Sequence, residues 1–355
     1  MRIFRPLLLQ SLLHISNTQR TKQNILKTSM STTTTTTPPS KVPEGASAMQ
    51  KILESSYGED WQQFLIETMR SISAPLAQKA LAQVGLGAGT TEPYRLLEQG
   101  CGMGVVAPML HETVPMEVQE KSSVLCGDFS APLVEAVKGR IAKEGWVNCE
   151  AQVVDAQVSM VVLRALSKKM NSGLPSESFT HVVGNIVYHT IPNSLAALKD
   201  SIRLIQPGGA FALTTWHSQN GAWVCDVREA FNSLPSRLLP PDYNFHMPMQ
   251  LTDDGHWDNV DWLRGTLTDQ GLVDVQVDVL ATLTPIKSPE HFMKTSAMMI
   301  EYAGKLTLGL DLKTDRDKVE EIKELVEKHL VEKYGKDGKW TLTWVSIIAS
   351  GRKPS

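Results

Sequence analysis

The stretch LLEQGCGMGV, residues 96–105, decides how this chain folds. Gly100, Gly102 and Gly104 alternate with Cys101 and Met103, and Glu98 stands two residues before the first glycine. Fixing a glycine costs more backbone entropy than fixing any other residue, so this cluster marks a tight turn or a close approach to bare backbone. The segment YRLLEQG (94–100) has the apolar run of a buried strand, and VVAPMLHETV (105–114) is predicted to be a short helix.

Downstream, strand and helix patterns alternate. SSVLCGD (122–128), CEAQVVDAQ (149–157), FTHVVGNIVYH (179–189) and AFALTTW (210–216) are predicted strands. Amphipathic helices are predicted between them over 131–145, 158–170 and 194–205. Such alternation implies a parallel sheet covered by helices on both faces. Ligands of these sheets sit beyond the carboxyl ends of the strands, where strand order reverses, and the glycine cluster lies at such an end. Ahead of it, residues 46–84 have helical periodicity, with breaks expected near Gly58 and at Pro75. After Trp216 the alternation stops, and a segment rich in Pro, Asn and aromatics (217–256) is expected to form a cap. A helix (257–271), a strand (272–283), helices over 288–304 and 315–335 and a final strand (339–351) complete the chain, the last strands closing the sheet as a hairpin. Ser288 and Pro289 form a strong helix start.

Two ligand classes use a glycine loop after a first strand. Dinucleotides want G-x-G-x-x-G with pyrophosphate over a helix N-terminus. Here the spacing is G-x-G-x-G, Val105 occupies the sixth position, and Glu98 would repel a pyrophosphate. A cation would welcome that carboxylate. The second strand ends in Asp128, placed to accept ribose hydroxyls, and the third in Asp155, placed to take an adenine amino group. The pattern therefore asks for an adenosine with a positively charged, amino-acid-like tail, which fits S-adenosylmethionine better than a dinucleotide.

At these residues the chain resembles the class I S-adenosylmethionine-dependent methyltransferases. LLEQGCGMG looks like their first motif, LCGDFSAPLVEAVKGR their ribose motif and VVDAQ their adenine motif. FTHVVGNIVYHTIPN looks like their fourth-strand segment and LIQPGGAFALTTW their turn and fifth strand. The resemblance covers 94–216 in detail and 257–351 in outline, and is greatest to small-molecule enzymes such as quinone C-methyltransferases and fungal natural-product methyltransferases. It implies an α/β fold with a doubly wound, mostly parallel seven-stranded sheet (the Rossmann-like methyltransferase fold) and a helical or loop cap. It also implies roles. Gly100, Gly102 and Gly104 admit the methionine portion, and Glu98 orients its amino group. Asp128 holds the ribose, Phe129 lies against the adenine, Asp155 and the backbone N–H of Ala156 read the adenine, and Asn185 faces the transferred methyl. The sequence departs from the family at Thr180, where an acid is common, and in the long stretch from Asp155 to Phe179. GNIV stands where base- and amide-methylating enzymes carry an NPPY-like segment.

A sulfonium methyl is already activated, so a base is needed only if the acceptor must lose a proton. Tyr188, His189 and His217 are the candidate catalytic residues, since they follow the fourth and fifth strands. Aromatic residues in and beside the cap, Trp216, Trp223, Phe231, Tyr243 and Phe245, together with Met247, suit an apolar or aromatic acceptor. The Phe292, Met299 and Ala303 stripe is more simply core.

Composition bounds the rest. Of 355 residues 42% are hydrophobic and 21% charged, ordinary for a globular chain. Residues 1–43 hold six bases and no acid, so the net charge of −3 becomes −9 for the body, which argues against a nucleic-acid partner. That basic, Ser/Thr-rich segment is expected to be disordered or to target the chain to mitochondria, with cytoplasmic residence the equal alternative, and it is too short and polar for stable membrane insertion. The methyltransferase domain is expected over 44–351. Cys101, Cys126, Cys149 and Cys225 show no metal-ligand spacing, so no metal is expected. The leading expectation is a methyltransferase acting on a small metabolite at oxygen, nitrogen or carbon. Alternatives are a protein or nucleic-acid methyltransferase, or a non-catalytic S-adenosylmethionine-binding protein. A dehydrogenase lacks support, since no Tyr-x-x-x-Lys pair is present.

Overall fold

In the computed structural model, which describes residues 61–156 and 173–355, the glycine loop joins β1 (Arg95–Gln99) to helix α2 (Val106–Thr113). Ahead of β1 lies α1 (Trp61–Gln83). A one-turn helix, α3 (Met116–Gln119), precedes β2 (Ser123–Asp128), α4 (Ala131–Glu144) and β3 (Cys149–Val153). Then come β4 (Phe179–Asn185), α5 (Ser194–Leu204) and β5 (Ile205–Trp216). The remainder is α6 (Ala222–Asn232), α7 (Val260–Asp269), β6 (Val273–Ile286), α8 (Pro289–Leu308), α9 (Arg316–Tyr334) and β7 (Trp340–Arg352). Residues 1–43 and the helix expected over 158–170 lie outside the described residues.

The seven strands form one sheet in the order β3-β2-β1-β4-β5-β7-β6. Strands β1 to β5 pair in parallel, and β7 runs antiparallel to both of its neighbours. The chain leaves β1 toward β2 on one side and returns beside β1 as β4 on the other. The crevice between β1 and β4 is thus the point where strand order reverses.

Alternation along the strands builds two cores, because successive side chains point to opposite faces. Leu96, Ala210, Ala212 and Ile348 pack with Ala77, Ala80 and Leu81 of α1 and Val106 and Leu110 of α2. Leu97, Phe211, Leu213 and Ile347 pack with Leu198 and Ile202 of α5 and Leu263 and Leu267 of α7. A third cluster beyond β5 unites Val227 and Phe231 of α6, Phe292 and Ala303 of α8, Val326 and Leu330 of α9, and Leu342 and Trp344 of β7. The Phe292 and Ala303 stripe is therefore core. Buried Asp226 ties α6 into this layer, accepting from Lys333 Nζ (3.0 Å), Tyr334 OH (2.7 Å) and Trp340 Nε1 (3.0 Å).

Two expectations are corrected. Helix α1 runs through Pro75, because burial of Leu76, Ala77, Ala80 and Leu81 outweighs the one backbone bond that proline cannot make. The segment after Trp216 contains α6, whose Trp223, Val227 and Phe231 face the third cluster. Helix ends follow local chemistry: Ser288 Oγ caps α8 by accepting from the His291 N–H at 3.1 Å, and Gly145, at φ 69°, closes α4 in the left-handed region.

Candidate functional site

The glycine loop owes its shape to left-handed backbone, with φ of +64° at Gly100, +54° at Gly102 and +77° at Gly104. The three positions differ in what surrounds them. A Cβ at Gly100 would stand 2.2 Å from Val187 Cγ2, and one at Gly104 3.2 Å from Trp146 Cη2. A Cβ at Gly102 would meet no described atom within 4 Å. Gly100 and Gly104 are bare so that the protein can pack, while Gly102 faces open space at the strand ends.

Two buried carboxylates hold the loop's amides. Glu98 Oε1 accepts from the Val105 and Val106 N–H groups at 3.0 Å each, and Oε2 from the Ala107 N–H at 3.1 Å and the Cys126 thiol at 3.8 Å. A carboxylate offers about four acceptor positions, so that of Glu98 is fully used. Glu98 satisfies the orphan N–H groups at the start of α2 and fixes the loop. Burial raises its pKa above the ordinary carboxylate value, against the lowering effect of those amides. Asp128, at the end of β2, accepts from Gly102 N–H through Oδ2 and Ser130 N–H through Oδ1, both at 2.9 Å. Part of its acceptor capacity remains for hydroxyls. Burial raises its pKa too, opposed by the Ser130 and Gly102 amides.

Around the same strand ends, Phe129 is 43% exposed and Val153 48%, so two apolar side chains flank Asp128 without cover from the described residues. Asp155 is half-buried two residues past β3, and Ala156 is buried. At the end of β4, Asn185 Oδ1 accepts from Thr214 Oγ1 at 2.6 Å, and its Nδ2 donates to the Ser73 carbonyl of α1 at 3.4 Å. The structure thus gathers Gly102, Asp128, Phe129, Asp155 and Asn185 at the carboxyl ends of adjacent strands. Over the loop, buried Met103 packs against Leu65 and Ile66 of α1, Leu133 and Ala136 of α4 and Met298 of α8. On the loop's outer flank an open pocket is lined by Met103, Gly104, Arg70 and Arg140, and it includes neither Asp128 nor Asn185. Among the described residues no group of three or more His, Cys, Asp or Glu could hold a metal ion, and no helix is long and apolar enough to cross a membrane.

A family model described as a methyltransferase domain matches residues 97–213, from β1 to within β5, and so spans every strand end just described. The chain is 28% identical to methyltransferase tpcH of Aspergillus fumigatus, over 80% of this chain and 93% of that one. It is 26% identical to the acetylaranotin bis-thiomethyltransferase of Aspergillus terreus, over 80% and 91%. Among solved structures it is similar to the YcgJ protein of Bacillus subtilis, with 16% identity, a TM-score of 0.45, and coverage of 79% of this chain and 99% of that one. Residues 97–213 of this chain thus form a methyltransferase domain.

In this methyltransferase the three candidate catalytic side chains part company. Tyr188 is fully buried, stacked on Trp257 at 5.5 Å, with its hydroxyl hydrogen-bonded to Ser201 Oγ at 2.8 Å. Its catalytic assignment is corrected: an aromatic ring after the fourth strand fills the core beneath it. His189 is also buried, but its Nδ1 has no hydrogen-bond partner among the described residues, and burial lowers its pKa to about 4, so the ring is neutral at neutral pH. It meets the Trp216 ring edge-on at 6.5 Å, and Trp216 in turn lies 5.2 Å from Trp344. His217 is half-buried, and its Nδ1 accepts from the Gln219 N–H at 3.0 Å, which leaves the proton of the neutral ring on Nε2. Sequence reasoning passed over Arg140, a buried guanidinium that touches the loop from outside. Its partners on the loop are backbone carbonyls, which leave no mark in a sequence.

Proposed function

We propose that this methyltransferase binds S-adenosylmethionine across the ends of β1, β2, β3 and β4 and methylates a small, apolar or aromatic metabolite lodged against His189 and Trp216. The observation that carries the reading is the open space at Gly102 next to the Asp128 carboxylate. It provides room for a ligand at bare backbone with acceptors for its hydroxyls. Exposed Phe129 offers a face for the adenine, and Asp155 an acceptor for its amino group. When bound, the cosubstrate supplies an activated methyl on a sulfonium centre.

The chain's own residues then align the acceptor, a contribution of about 7–11 kcal/mol in well-oriented reactions. Asn185 stands where the fourth strand meets this space, and the neutral His189 can accept a hydrogen bond through its unpartnered Nδ1. His217 is the second candidate for that contact. Because one relative is named a bis-thiomethyltransferase, thiols belong with phenols and carbon acids among the acceptors to try.

The test is calorimetric titration of S-adenosylmethionine into the wild type and Asp128→Ala, followed by labelled-methyl transfer to organic extracts, bulk protein and RNA. Loss of the charged hydrogen bonds should weaken binding by about 1.5 kcal/mol or more. An unchanged dissociation constant removes Asp128 from the site, and label entering protein or RNA instead of the extract removes the small-molecule reading.

A further inference from the structure

We propose that Arg140 is a positioning residue that, with Glu98, clamps the Gly104–Val105 peptide unit from its two ends and so sets the shape of the cofactor loop. Arg140 Nη1 donates to the Gly104 carbonyl at 2.8 Å and also to the Met103 carbonyl. The N–H of the same peptide unit, that of Val105, donates to Glu98 Oε1 at 3.0 Å. A cation at the carbonyl end and an anion at the amide end oppose the peptide's own dipole charges, so both contacts are charge-assisted and pull along one line.

The guanidinium is itself held on its other sides. Nε and Nη2 donate to Glu144 Oε1 and Oε2 at 2.7 and 3.1 Å, and the Trp146 ring lies 4.8 Å from Cζ. The arginine side chain is 10% exposed. Gly104 lets this assembly close, since a Cβ there would press on Trp146 and approach Arg140 Nη1 at 3.7 Å. The loop is therefore gripped on both sides: Glu98 and Asp128 fix its amides, and Arg140 fixes its carbonyls. Gly102, with φ +54° and open space beside it, is the part left facing a ligand. The planar fork explains why arginine stands here. A lysine cannot serve two loop carbonyls, a bidentate carboxylate and an aromatic face together.

The assignment rests on the loop being the S-adenosylmethionine cradle, so the experiment has an arm that needs no ligand. Amide hydrogen exchange over 100–107 is measured in the full chain for the wild type, Arg140→Met, Arg140→Lys and Glu144→Gln, beside S-adenosylmethionine titrations and steady-state kinetics. Arg140→Met should speed exchange in this segment at least tenfold while the core strands keep wild-type protection. It should raise the dissociation constant and KM for S-adenosylmethionine at least tenfold, leaving KM for the acceptor within twofold. Arg140→Lys should recover part of both effects, and Glu144→Gln should show a smaller version of them. Exchange and affinity within twofold of wild type in Arg140→Met overturn the clamp, as does a uniform rise in exchange across the sheet. If Arg140→Met does not fold, the graded response of the other two variants decides. If the wild type fails to bind S-adenosylmethionine, the proposed function falls and loop exchange alone decides the clamp.

Discussion

Gly100→Ala and Gly102→Ala should fail for different reasons, although both residues are glycines at positive φ in one loop. An alanine at either position is held in the left-handed region, which costs about 1–2 kcal/mol. At Gly102 nothing more is added to stability, because the new methyl meets no described atom within 4 Å. At Gly100 the methyl would stand 2.2 Å from Val187 Cγ2 and 3.0 Å from Val187 Cβ. Overpacking of that kind costs about 1–3 kcal/mol more, giving about 2–5 kcal/mol in all. The clash has one author, so Val187→Ala should relieve it. Urea denaturation of the two single mutants and the double mutant should give an interaction energy of at least about 1 kcal/mol, well above the roughly 0.3–0.5 kcal/mol scatter of independent sites. Gly102→Ala should lose little stability yet weaken S-adenosylmethionine binding, since its methyl enters the space assigned to the ligand. Equal destabilisation by the two alanines, or no coupling between residues 100 and 187, would refute the division of the loop into a packing part and a binding part.

Glu98→Gln turns an amide NH₂ toward N–H or thiol donors that the carboxylate now satisfies, and should cost about 1.5–3 kcal/mol in chemical denaturation. Asp226→Ala leaves the Tyr334 hydroxyl and the Trp340 indole without their acceptor, while Lys333 keeps Glu229. About 2–3 kcal/mol should be lost, with exchange rising first in α6. Stability should also fall on acidification. Burial depresses the pKa values of His181 and His189 to about 4 from 6.5, so between these values the unfolded chain binds the protons first. Each histidine's contribution, about 3 kcal/mol, is present above pH 6.5 and lost as pH falls toward 4. His189→Gln should remove roughly half of that slope, as read by urea midpoints between pH 4 and 7.

The order of elements along the chain was legible because strand and helix periods differ and the glycine cluster fixes where the first strand stops. The site acids were legible for a related reason: strands in parallel register bring their carboxyl ends together, so Asp128 and Asp155 fall beside the loop once their strands are found. What each side chain does there was not. Glu98 precedes the glycines as a ligand-binding acid would, but its oxygens are consumed by the start of α2, and only the geometry of Val105, Val106 and Ala107 shows it. Tyr188 and His189 are adjacent in sequence, yet one hydroxyl is satisfied in the core and the other residue's Nδ1 is not. Pro75 looked like a helix break because local rules ignore tertiary burial, and α6 was missed because turn-forming residues surround it. Arg140 carries no sequence signal at all, since an arginine on an amphipathic helix looks like any solvated one.

At the far side of the sheet β6 pairs, among the described residues, only with β7, and from Val279 to Ile286 it carries no charged residue. Its outer row of N–H and C=O groups is a template for another strand, and Leu283 is 67% exposed beside it. Concentrated preparations will tend to pair edge to edge along this border, two copies closing on each other. A single lysine at position 283 should keep the protein dispersed without disturbing the chemistry at the opposite wing.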